Sequence, residues 1–210
     1  MTTADDFFMA AKTPEELGLE LLAELHTLPR RCNYGRVRAL IARGASTEVY
    51  NDIGAWPLQA CITHGHDEIA MLLIGKGADV DFRPPGRSDT PLILAVFNSQ
   101  VEIAKALLDH GALLEPQTAK GETALSIAAY NYKRAKNNIK YFPELNEKTD
   151  PDPRVTIVKS KAIMELIEQA AVTRVREREW QAQGMPLEKP LTVPRRAIKL
   201  ISPTPASRIP

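Results

Sequence analysis

The stretch Asn51–Asp81, NDIGAWPLQACITHGHDEIAMLLIGKGADVD, decides the fold. Pro57 suits the first position of a helix, where its missing N–H has no intrahelical partner to lose. Leu58, Ala60, Cys61 and Ile62 then give a short, mostly apolar helix. Gly65 interrupts it. Ile69, Ala70, Leu72, Leu73 and Ile74 supply the apolar stripe of a second helix, which Gly77 closes as a left-handed C-cap would. Two helices this short cannot bury their apolar faces alone, so the pattern makes sense only if copies stack against it.

Copies are present. Gly-Ala recurs at positions 44–45, 77–78 and 111–112, hence at spacings of 33 and 34 residues, and Gly54 recurs as Ser88 and Gly121. Trp56-Pro57-Leu58-Gln59-Ala60, Thr90-Pro91-Leu92-Ile93-Leu94-Ala95 and Thr123-Ala124-Leu125-Ser126-Ile127-Ala128-Ala129 resemble the TPLHLAA motif of ankyrin repeats. Gly65-His66 and Gly77-Ala78-Asp79-Val80 resemble that family's GH and GADVN segments. The resemblance covers about residues 14–171 and implies an all-α solenoid of stacked helix–turn–helix units with β-turn or hairpin fingers. It divides a repeat domain at 1–171 into a capping repeat at 14–50 and repeats at 51–83, 84–117 and 118–171. A helical extension and a Pro-rich basic tail occupy 172–210.

Thr13-Pro14-Glu15-Glu16 is a good helix start, with Thr13 as N-cap and Glu16 placed for a capping box. Leu17, Leu21, Leu22 and Leu25 come next at helical spacing, and Val37, Ala39, Leu40 and Ile41 mark the partner helix. Lacking the motif, this pair reads as a terminal repeat with a single neighbour. Residues 4–11 are either a short lid helix or a frayed terminus. Phe82-Arg83-Pro84-Pro85-Gly86-Arg87-Ser88-Asp89 forms a finger whose Pro and Gly enforce turns. Leu92 and Leu107 are packing positions in the third repeat.

The fourth repeat breaks the pattern. The turn expected after Asn131 does not arrive, and a helix-compatible sequence continues to Phe142 before Pro143 and Asp150-Pro151-Asp152-Pro153. About 26 residues, at about 132–157, are inserted between the two helices of the template, as decoration or as a binding device. After Ala171 the helix is expected to continue to near Gly184. Beyond it, Lys189, Arg195, Arg196, Lys199 and Arg208 stand against Glu188 alone, a balance of +4. This tail is either a solvated linker or, through Ala197-Ile198-Lys199-Leu200-Ile201, a segment that adds to a partner's sheet edge or groove; its charge suits an acidic partner surface.

A formal net charge of +1 argues against a nucleic-acid-binding protein as a whole. No apolar run is long enough to span a membrane, and Asp5 and Asp6 precede the short Phe7-Phe8-Met9 patch where a secretory signal wants basic residues. A cytoplasmic protein is therefore expected, with Cys61 a small buried residue rather than a ligand or nucleophile.

Catalytic, cofactor and metal readings find no support. His64-Gly65-His66 is the nearest approach to a metal pair, but no cysteine or carboxylate constellation accompanies it. His26 and His110 lie near helix ends, where a hydrogen bond or a helix-dipole interaction is ordinary. No phosphate loop or nucleophile elbow appears. No enzymatic activity, cofactor or metal is expected, and function must lie in the surface.

The resemblance implies that a partner protein is held by the finger tips and the exposed side of each first helix. Carried over by motif position, that surface comprises Asp52, Ile53, Ala55, Thr63 and His64; Arg87, Asp89, Phe97 and Asn98; and Lys120, Glu122, Tyr130 and Asn131. Arg30 and Arg31 fall at the corresponding end in the first repeat. Phe97 and Tyr130 are either interface anchors or packing aromatics. Trp56 replaces the motif's Thr, losing a hydroxyl that would tie the turn. The implied function is protein–protein interaction; a subunit that neutralises a partner enzyme and a host-directed effector remain alternatives within it.

Overall fold

The computed structural model describes residues 12–27, 32–141 and 152–182. The lid expected at 4–11, Arg30, Arg31 and the tail beyond Ala182 lie outside them. The chain divides into two units, Met1–Ala171 and Val172–Pro210.

In the first unit, helices pair in chain order: α1 (Pro14–Leu25) with α2 (Tyr34–Ala42), α3 (Pro57–His64) with α4 (Asp67–Gly75), and α5 (Pro91–Phe97) with α6 (Val101–Asp109). Then come α7 (Ala124–Tyr141) and α8 (Pro153–Ala182). The first helices α1, α3, α5 and α7 pack successively against one another, and α4 packs on α6. That is an all-α stack of helix–turn–helix units. Among the described residues no strand forms. The fingers are turns, closed in the fourth repeat by Gly121 N–H donating to Thr118 O (2.9 Å) and an isolated bridge between Gln117 and Thr123.

One apolar cluster runs through the unit from Leu17 and Leu21 through Leu58, Ile69, Leu92 and Leu107 to Ile163 and Ile167. Leu92 and Leu107 are fully buried, so each is a packing residue. Cys61 is also fully buried, and burial pushes its thiol far above the usual range, which removes the thiolate a nucleophile or ligand needs.

The capping box forms as expected, with Thr13 Oγ1 accepting from Glu16 N and Glu16 Oε2 from Thr13 N. Thr90 and Thr123 cap α5 and α7 in the same way, accepting from Ile93 N and Ser126 N at 3.3 Å each. Trp56 cannot. It caps α3 with no side-chain bond, and its ring is instead buried edge-on to Phe82 of the next finger, 6.3 Å between centroids at 75°.

The reversal between first and second helix needs a left-handed residue. Gly65 supplies it at φ +76°, but in the third repeat Ser99 holds φ +56°, a conformation that disfavours any side chain.

The segment read as an insertion at 132–157 is helical at both ends. α7 absorbs residues 132–141 because no Gly or Pro comes directly after Asn131 and Ala135 is buried. At the other end Asp152-Pro153 starts a helix instead of breaking one. Asp152 Oδ1 accepts from Arg154 N (2.8 Å), its carbonyl from Thr156 N (3.0 Å), and Pro153 takes the first helical position. Only 142–152 therefore lies between the helices. α8 carries helical structure through Ala182, and its residues from Val172 belong to the second unit.

Candidate partner-binding surface

Thr63, Phe97 and Tyr130 occupy equivalent positions, 34 and 33 residues apart, on the successive helices α3, α5 and α7. Side chains at one repeat position stand side by side in a stack. All three are solvent-exposed, Phe97 at 69% and Tyr130 at 60%. Neither ring is buried against a neighbouring repeat. A large apolar side chain left this open is a candidate anchor for another surface.

At the next position in each repeat His64 is half-buried, Asn98 exposed and Asn131 buried. Asn98 Nδ2 donates to Ile62 O and Asn131 Nδ2 to Val96 O, both at 3.4 Å. Each amide thus ties its own first helix to the end of the preceding one. Asn131 is only 8% exposed, so this residue, expected on the binding surface, belongs to the interior. The physical reason is position: Asn131 lies on the buried side of α7, level with the end of α5, where its amide meets one of the last carbonyls of that helix. Ala55, also expected on the surface, is buried at the start of α3.

His64 is half-buried between His26 (ring centroids 5.6 Å) and His66 (6.5 Å). Burial, then the two neighbouring imidazoles, lowers its pKa below the usual histidine value, so the neutral ring is favoured. His66 is fully buried. Its Nε2 faces Leu25 O (3.1 Å) and Thr27 O (2.8 Å), so that nitrogen carries the proton, and Nδ1 faces the Tyr34 hydroxyl at 3.3 Å. This histidine staples the second repeat to the first. His110 does comparable local work, Nδ1 lying 2.8 Å from Ala106 O at the end of α6. Among the described residues no group of three or more His, Cys, Asp or Glu is arranged to hold a metal ion.

At the finger tips Asp52, Ile53, Lys120 and Glu122 are exposed and Asp89 half-buried. Arg87 is exposed, yet its guanidinium donates to Ile53 O, fixing the tip of the second repeat to the third. Asp81 does the same one repeat on, both carboxylate oxygens accepting from Leu113 N at 3.0 and 3.2 Å.

The family profile described as Ankyrin repeats (3 copies) matches residues 25–118 and 83–153, which together span more than half of the chain. This chain belongs to the ankyrin repeat family. Similar proteins include B-cell lymphoma 3 protein homolog of Mus musculus, 30% identical over 129 residues, covering 61% of this chain and 28% of that protein. A putative ankyrin repeat protein of Rickettsia felis is 34% identical over 94 residues (45% and 40%), and ankyrin repeat and SOCS box protein 16 of Homo sapiens 33% over 106 (50% and 23%). The chain thus spans well under half the length of each. Ankyrin repeats are generally protein–protein interaction modules and generally non-catalytic.

Within the ankyrin stack, motif position alone does not separate surface from scaffold. Phe97 and Tyr130 are where the motif puts them. Asn98 and Asn131 carried a signal that was available: the same residue recurs one repeat apart, as a shared structural duty requires, whereas partner-specific residues differ between repeats. No helix among the described residues is long and apolar enough to cross a membrane.

Proposed function

We infer that this ankyrin domain is a non-catalytic module holding a partner protein across the first-helix row and the finger tips, in the cytoplasm. The observation that carries the reading is the exposure of Phe97 and Tyr130 at equivalent positions of adjacent helices. Two rigid aromatics on one face bury large apolar area on binding at low conformational cost. Asp52, Ile53, Thr63, His64, Asp89, Lys120 and Glu122 form the surrounding rim; Asn98 and Arg87 contribute chiefly by fixing the backbone beneath it.

The test is affinity capture from source lysate with the intact chain, followed by mass spectrometry. A stoichiometric partner is expected, lost with Phe97→Ala/Tyr130→Ala, a variant that stays folded because neither ring is in the core. Unchanged capture by that folded variant would refute the reading. Loss of an enzymatic activity of the partner on binding would make the module an inhibitor.

A further inference from the structure

α7 is 18 residues long where α3 has 8 and α5 has 7. The ten residues from Tyr132 to Tyr141 therefore extend about 15 Å beyond the position at which the other first helices end. The helix contains Lys133, Arg134, Lys136 and Lys140 and no carboxylate. All four cations are exposed, and among the described residues none is within ion-pair distance of an acid. A cation in the last turn is favoured by the helix dipole, which accounts for Lys140 but not for the three earlier ones. Lys133–Lys136 and Lys136–Lys140 are i,i+3 and i,i+4 like-charge pairs that weaken the helix.

The cations are not spread evenly. Tyr130, Lys133, Arg134, Asn137, Lys140 and Tyr141 fall within a sector of about 120° at 100° per residue. That sector lies away from the buried stripe of Ala124, Ile127, Ala128, Asn131 and Ala135. Both tyrosines are open to solvent, Tyr141 at 62%, and Lys140 Nζ lies 5.0 Å from the Tyr141 ring centroid. The face therefore pairs three exposed cations with an aromatic at each end, Lys140 lying over the Tyr141 ring.

We propose that this face of α7 docks a short acidic segment of a protein partner, whose carboxylates pair with Lys133, Arg134 and Lys140 while apolar side chains lie on Tyr130 and Tyr141. It deepens the reading of the domain as a protein-binding module and rests on it. Charge complementarity selects the occupant. Three or four cations over roughly two turns match a few carboxylates, whereas a nucleic acid is ordinarily held through about six to ten phosphate contacts.

The test uses the intact chain and a fluorescein-labelled dodecapeptide of repeating Glu-Glu-Leu, read by anisotropy. The peptide binds, and Lys133→Gln/Arg134→Gln/Lys140→Gln weakens it about tenfold or more. Glutamine is a good helix former, so far-UV circular dichroism is unchanged. Neutralising Lys76, Lys105 and Lys159, exposed elsewhere in the repeat domain, leaves the affinity unaltered. An equal loss in the two triple variants would overturn the proposal, as would tighter binding of a dT12 oligonucleotide than of the peptide. The chain's own sequence between Tyr141 and Asp152 contains Glu144, Glu147 and Asp150. Neutralising these leaves the affinity unchanged; a tenfold gain would assign the face to that segment and overturn a partner's claim to it. The peptide contrast needs no cellular partner. Its failure with capture through Phe97 intact removes this site alone, and lost capture specificity with the contrast intact removes the broader reading of the first-helix row and finger tips.

Discussion

Replacing Trp56 by threonine, the residue that caps the equivalent helices at Thr13, Thr90 and Thr123, should destabilise the domain although it restores a hydrogen bond. Trp56 is 2% exposed, and its ring rests edge-on against Phe82. Truncating a buried tryptophan costs about 3–5 kcal/mol through lost burial and the cavity left behind. A threonine cap recovers about 1 kcal/mol. The net loss is about 2–4 kcal/mol, or roughly 4–16 °C in Tm for a unit of this size. Trp56→Phe separates the two contributions. It keeps the ring against Phe82 but removes Nε1, a buried donor with no partner among the described residues, whose desolvation costs about 1–3 kcal/mol. Loss of ring volume and relief of that donor offset, so Trp56→Phe changes stability by less than about 1 kcal/mol. Urea unfolding followed by circular dichroism reads both. A threonine variant as stable as the parent, or a phenylalanine variant that loses as much as threonine, would refute the account of Trp56 as packing in exchange for a cap.

Three further outcomes rest on single contacts. Gly18→Ala places a methyl 2.5 Å from Ser46 O and 2.9 Å from Val49 Cγ2, so α1 must move off the following finger; the cost of about 1–3 kcal/mol exceeds the gain of about 1 kcal/mol in helix propensity, and equilibrium unfolding should show net destabilisation. Asn131→Ala removes the tie to Val96 O and costs about 1 kcal/mol in the same assay while partner capture is unchanged, the reverse of what a contact residue would do. His64 has its folded pKa lowered from 6.5, so the unfolded chain binds the extra proton: its contribution is intact above about pH 6.5 and is lost as pH falls through that value toward the folded pKa. Urea midpoints at pH 7.5 and 5.5 should therefore differ less in His64→Gln than in the parent.

What the sequence made legible is what recurs. Gly77, Leu92 and Leu107 repeat a template because every repeat solves the same packing problem, and period alone reveals it. The partners of the inter-repeat ties were not legible, because the acceptors of Asn98, Asn131 and Arg87 are backbone carbonyls of Ile62, Val96 and Ile53, and a carbonyl leaves no trace in residue type; only the recurrence of Asn at 98 and 131 hints at a structural duty. The same limit explains the misread end of the insertion. Asp-Pro starts a helix or breaks one with identical residues, and only the downstream side chains decide; here Thr156, Ser160, Ile163 and Ile167 turn inward from Pro153 onward and make it a start. Departures from the template then sort by burial. Trp56 departs and is buried, so it answers to packing. Phe97, Tyr130 and the cationic face of α7 depart and are exposed, so core packing does not account for them. Side chains that neither fill the core nor tie one repeat to the next keep their charge hydrated and their apolar area open, and burying that area against a second surface is the gain on which the proposed recognition would draw.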